Sequence, residues 1–176
     1  MELYRNNIEN LQRFKERFKK GTEDPNETLV DKKNGVIESY QGEYLVRTTY
    51  KDNVKHGLYE RVHPNGQTLY RGLFLEGKHH GLHEGFQKNG ELFYTKIYHH
   101  GKLHGEQREY HRNGRLRRTE EHYLGEPLGS FVWYHDNGQI KKIGSMMGAY
   151  PMGIWETFNR NGELTGRVDL GSSGLL

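Results

Sequence analysis

Eleven histidines are the most reactive feature of this 176-residue chain, and imidazole nitrogens suggest metal binding or proton transfer. His56, His80 and His104 recur at steps of 24 residues. If each step is two strands, these rings stand about 9.6 Å apart at ~4.8 Å per strand, too far for one ion with ~2 Å bonds. The clusters His79-His80-His83 and His99-His100-His104 could approach each other, but no cysteine and no clear carboxylate completes a set. The expectation is therefore turn-lining histidines, with no metal and no cofactor. Ser39, Ser130 and Ser145 have no special setting, and Glu60, Glu84 and Glu156 recur in one column as a solvated face does. Repeated columns do not converge as a catalytic group must, so no catalytic residue and no enzyme is expected.

Arginine offers a different chemistry. Arg108, Arg112, Arg115, Arg117 and Arg118 crowd one stretch, yet Glu106, Glu109, Glu120 and Glu121 flank them. The net charge of +3 is too small to imply specific nucleic-acid binding. Arginine beside large aromatics is instead the composition of a protein interface. Tyr59, Phe131, Trp133 and Trp155 supply the aromatics, and Arg71 and Arg167 extend the arginine set. These eleven residues are the candidate partner-binding surface.

The elements that position them follow from glycine. Asn-Gly occurs at Asn65-Gly66, Asn89-Gly90, Asn113-Gly114, Asn137-Gly138 and Asn161-Gly162, each 24 residues after the last. Gly57, Gly81, Gly105, Gly129 and Gly153 keep the same step, and Gly77, Gly101 and Gly125 form a third series. Several series in phase mean a tandem array. Val62, Phe86, Tyr110, Tyr134 and Phe158 precede the Asn-Gly turns; Thr68, Leu92, Leu116, Ile140 and Leu164 follow them. Each unit reads as strand, Asn-Gly turn, strand, then a Gly-rich turn into the next unit. A three-residue loop such as Pro64-Asn65-Gly66, with Gly left-handed, pairs Val62 with Thr68, Phe86 with Leu92 and Tyr110 with Leu116. Carried inward, the same register sets Glu109 opposite Arg117, Phe131 opposite Ile143 and Trp155 opposite Arg167.

Composition agrees with a folded but thin-cored protein. Only 32% of residues are hydrophobic, but 12 Tyr and 7 Phe exceed what a disordered chain carries, and 23 Gly argue against a helical domain. Ile8, Leu11, Phe14 and Phe18 sit at helical spacing among basic residues, which predicts an amphipathic α-helix over residues 1–21. It would cap the first hairpin, or dock on a membrane surface or another protein. Residues 22–32 read as a linker, 33–170 as the repeat domain and 171–176 as a flexible tail. The expected fold is mainly β: an elongated single-layer antiparallel sheet of 24-residue hairpins with an N-terminal helix. No signal peptide or membrane span is apparent, so a cytoplasmic location is expected.

His80-Gly81-Leu82, Asn89-Gly90-Glu91-Leu92 and the run Tyr98–Gly105 resemble the MORN repeat (membrane occupation and recognition nexus), in its bacterial YwqK-type antitoxin or immunity variant. The likeness covers about residues 40–166. Tyr123-Leu124-Gly125 and Met146-Met147-Gly148 depart from the pattern, so irregular joints are expected there. The resemblance implies a non-enzymatic binding module whose partner is a cognate toxin. It leaves open a MORN-type scaffold, self-association into a homo-oligomer, or peripheral binding to anionic lipid.

Overall fold

The computed structural model describes residues 34–171. They form one antiparallel sheet of 13 strands. The strands are β1 (Asn34–Gln41), β2 (Tyr44–Lys51), β3 (Val54–Val62), β4 (Thr68–Leu75), β5 (Lys78–Phe86), β6 (Leu92–His99) and β7 (Lys102–Leu103), then β8 (Gly105–Tyr110), β9 (Leu116–Tyr123), β10 (Glu126–Tyr134), β11 (Ile140–Met147), β12 (Tyr150–Phe158) and β13 (Leu164–Asp169). Strands follow one another across the sheet in chain order, except that the short β7 pairs only with β6.

The expected fold is corrected in its helical part. Every regular element among the described residues is a strand, because the glycine-metered alternation leaves no run at helical spacing. The helix expected over residues 1–21 lies outside the described residues.

The Asn-Gly turns form as the loop chemistry requires. Gly66 N–H donates to the His63 carbonyl and His63 N–H to the Gln67 carbonyl, both at 2.8 Å. Gly66 has φ 85°, and Gly90, Gly114, Gly138 and Gly162 repeat it within ten degrees. This is a type I turn closed by a left-handed glycine, a backbone that a side chain strains. Asparagine locks the turn: Asn65 Oδ1 accepts the Gln67 N–H at 3.0 Å, and Asn89, Asn113 and Asn137 do the same at 3.1 Å.

Val62 pairs with Thr68, Phe86 with Leu92 and Tyr110 with Leu116, as the loop length demands. Inward of that pair the register differs from expectation by one residue. A bulge leaves Leu69, Phe93, Arg117, Lys141 and Thr165 without an opposite partner. Glu109 therefore faces Arg118, Phe131 faces Gly144 and Trp155 faces Val168. Another correction concerns Gly57, Gly81, Gly129 and Gly153. These lie inside β3, β5, β10 and β12, and Gly105 opens β8, so they bend strands and do not turn the chain. The turns between units are Glu76-Gly77, His100-Gly101 and Leu124-Gly125, each with two positive φ values as in a type I′ turn. Leu124-Gly125 is thus regular, whereas Gly148-Ala149 has positive φ only at its glycine.

With one layer of sheet, few side chains are fully buried. Val46, Val62, Phe131, Val132 and Trp155 are the apolar ones, and His83 is completely enclosed. Rings bury themselves by lying on cross-strand glycines. A Cβ on Gly72, Gly85 or Gly144 would overlap the ring of His83, Tyr94 or Trp155.

Candidate functional site

Alternation along each strand sorts the side chains onto two faces. One face carries charge. Glu38, Arg47, Glu60, Arg71 and Glu84 stand opposite one another on β1 to β5. Arg47 bonds Glu38 at 2.8 Å and Glu60 at 3.0 Å, and Arg71 bonds Glu84 at 2.5 Å. Such exposed pairs contribute about 0–1 kcal/mol each, so they set register and surface pattern more than stability. Two residues further along the same strands, Leu58 faces Leu73 and Leu82 faces Ile97. These four aliphatic side chains are 37–47% exposed.

The other face is aromatic. Tyr59, Tyr70, Phe74, His79, His83 and Tyr98 form a ring cluster with centroids 4.5–5.9 Å apart. At its centre, His83 Nε2 is 2.8 Å from the Leu73 carbonyl, so that nitrogen carries the proton and donates. Nδ1 then accepts from the Tyr70 hydroxyl. Burial, then the neighbouring His79, pushes the His83 pKa down to about 4, so the ring is neutral at pH 7. Burial likewise pushes the Tyr70 hydroxyl up.

A second cluster runs from His122 through Phe131 and Trp133 to Trp155, with successive centroids 5.8–6.3 Å apart. Lys142 Nζ lies 4.7 Å from the centre of the Trp155 ring. Polar residues separate the clusters. Arg118 bonds Glu109 at 2.7 Å and Glu120 at 3.5 Å. Buried Gln107 accepts the Ile97 N–H at 2.9 Å and donates to the Gly105 carbonyl at 2.9 Å. It replaces strand pairing that is lost where β6 and β8 share only two residue pairs.

The eleven candidate residues do not form one site. Tyr59, Arg118, Phe131, Trp133 and Trp155 lie on the aromatic face; Arg71, Arg108 and Arg167 lie on the charged one. Phe131 and Trp155 are only 7% and 9% exposed, so they pack the sheet and are not presented. Arg108 is bound to Glu106 at 2.5 Å, and Arg167 lies 3.7 Å from Glu156. Arg112 and Arg115 sit in the third Asn-Gly turn, where Arg115 Nη1 donates to the Asn137 carbonyl at 2.7 Å and ties neighbouring turns together. Arg117 is a bulge residue, 3.8 Å from Glu109. Sequence reasoning missed the exposed aliphatic row. Its signal was present, since Leu58 and Leu82 are one repeat apart, as are Leu73 and Ile97.

The histidines separate by role. His111 and His135 stitch units together, their Nε2 atoms 3.0 and 2.9 Å from the Tyr134 and Phe158 carbonyls. His80, His99 and His100 are the one group of three among the described residues with a ring nitrogen of each within 4.8 Å of the others. No described helix is long and apolar enough to cross a membrane.

Comparison with known proteins agrees with this repeat geometry. A family model described as the MORN repeat variant matches residues 103–123 and 127–146, which span β8–β9 and β10–β11. Repeats of this kind are non-catalytic modules that generally bind proteins or membrane lipids. No curated protein matches the chain.

Proposed function

We propose that this chain is a non-enzymatic protein-binding repeat module, and more narrowly an antitoxin or immunity protein that neutralises a cognate toxin domain in the cytoplasm by covering it. Protein binding is carried by the row Leu58, Leu73, Leu82 and Ile97, exposed on four adjacent strands and bordered by the Glu60, Arg71 and Glu84 charges. Exposed apolar cross-strand pairs, Leu58 with Leu73 and Leu82 with Ile97, beside a charged rim are how a protein interface is built. Its arginines are already paired with glutamates, which favours a partner of matched shape and charge over an anionic lipid surface. The toxin as partner rests on the MORN-variant resemblance.

The test begins with capture of partners from the native host and identification by mass, followed by calorimetry with the purified partner. Leu73→Asp should weaken binding at least tenfold while leaving the melting temperature within a degree or two. Co-expression should protect cells from the captured protein if it is a toxin. A non-toxic structural partner would replace the antitoxin reading with that of a scaffold. Pelleting with anionic vesicles at low salt, unaffected by Leu73→Asp, would shift the function to lipid.

A further inference from the structure

The joint between β5 and the β6–β7 turn collects imidazoles from two successive hairpins. β5 supplies His80; the end of β6 and its turn supply His99 and His100. One nitrogen from each lies within 4.8 Å of the others. The backbone brings them there. His100 and Gly101, with φ 47° and 85°, form the tight turn, and Gly101 N–H donates to the His79 carbonyl at 2.7 Å. The turn is thereby laid against β5 beside His80. His99 and His100 are exposed and leave an entry path from solvent.

Two observations point to a ligand. Nδ1 of His80 is buried and has no hydrogen-bond partner among the described residues, and the same holds for the nearby His104. A buried polar atom left in this way is costly, and a bound cation satisfies it. In addition, the joint forms without these imidazoles. The corresponding triplet one unit earlier is His56, Leu75 and Glu76, and one unit later it is His104, Tyr123 and Leu124, on the same type I′ turns. The three histidines are therefore not a requirement of the backbone.

The chemistry of the set selects the ion. With no thiolate and no carboxylate, it suits borderline transition metals and not Mg²⁺ or Ca²⁺. Tetrahedral zinc with bonds of about 2.0–2.1 Å holds its nitrogens roughly 3.4 Å apart, so the rings need to close from 4.8 Å by up to about 1.4 Å.

We propose that His80, His99 and His100 bind a divalent transition-metal ion of the zinc, nickel or copper class, with a fourth position open to solvent. The ion staples one hairpin to the next. This does not depend on the partner-binding reading.

The test is a Zn²⁺ titration of the full chain, free of any affinity tag, by calorimetry and thermal melting. One high-affinity ion per chain and a melting temperature raised by several degrees are expected. His100→Asn separates metal from fold, because Asn-Gly is a preferred type I′ pair and should leave the metal-free protein as stable or more so. It should still weaken Zn²⁺ at least tenfold. His80→Gln should weaken it similarly, and His56→Gln, at the equivalent position outside the cluster, should not. If His80→Gln fails to fold, His99→Gln serves in its place. Absence of a one-to-one site, or full affinity in the His100→Asn variant, overturns the proposal.

Discussion

The β3–β6 and β10–β12 regions share a strand plan but differ in the turn at their joint and in what they can sense. Both lay a ring on a cross-strand glycine, His83 on Gly72 in the first and Trp155 on Gly144 in the second. Both dock a turn through one hydrogen bond of 2.7 Å, Gly101 N–H to the His79 carbonyl and Gly148 N–H to the Pro127 carbonyl. At that joint the first carries His80, His99 and His100, whereas the second carries Leu128, Met147 and Gly148 and opens a recess of about 660 Å³ lined with Tyr123, Leu124 and Tyr150. Glycine and hydrogen bonding set the frame, and side chains at equivalent places are left to differ. The first region is built to respond to protons and metal, the second to hold.

The largest effect should come from the glycines under the rings. Gly144→Val and Gly72→Val each force a buried ring aside and should cost about 3 kcal/mol or more in urea unfolding. Trp155→Ala should cost a similar ~3–5 kcal/mol. If Gly72→Val is tolerated while Gly144→Val is not, the two regions are not packed alike.

Acid should separate them next. The folded state keeps His83 unprotonated down to about pH 4, whereas the unfolded chain takes up its proton near pH 6.5. Protons thus favour unfolding, and stability present above pH 6.5 should fall as the pH drops toward 4, by up to about 3 kcal/mol. Hydrogen exchange should show β4 and β5 losing protection before β11 and β12. Equal loss in both regions would break the contrast.

Turn variants should be smaller and alike. Gly90→Val and Gly138→Val should each cost about 2 kcal/mol in chemical denaturation, and exposed Lys88→Val only a few tenths. The smallest effect belongs to the charged face, where Arg47→Ala should lose less than about 1 kcal/mol of stability. A larger loss there would mean that the ion-pair row stabilises the first region as a network.

The 24-residue period, the loop type and the pairs beside each turn were legible because each rests on a residue with one stereochemical job, glycine at positive φ and asparagine locking it. The bulge that follows was not legible. Its extra residue is Leu69, Phe93, Arg117, Lys141 or Thr165, so no residue type marks it. That single unseen residue moved Trp155 from opposite Arg167 to opposite Val168, and the burial of its ring over Gly144 is set by the separate pairing of β11 with β12. Gly72, Gly85 and Gly144 fall outside the 24-residue series, and their purpose emerges only once strands are paired. The histidine joint was legible in outline, since the His79-His80-His83 and His99-His100-His104 clusters could be expected to approach each other, but not which of their nitrogens meet. His80 lies 19 residues before His99, a spacing that crosses from one hairpin to the next, and only the docking of the turn closes it.

Because each long strand touches only its chain neighbours, no distant segments must meet before the sheet can grow. Assembly can advance hairpin by hairpin from any nucleus, in the manner of a zip, and contacts this local favour rapid folding. Pulled from its two ends, the molecule should yield in successive short steps of one hairpin each, and a joint clamped by an ion would be the step that resists longest.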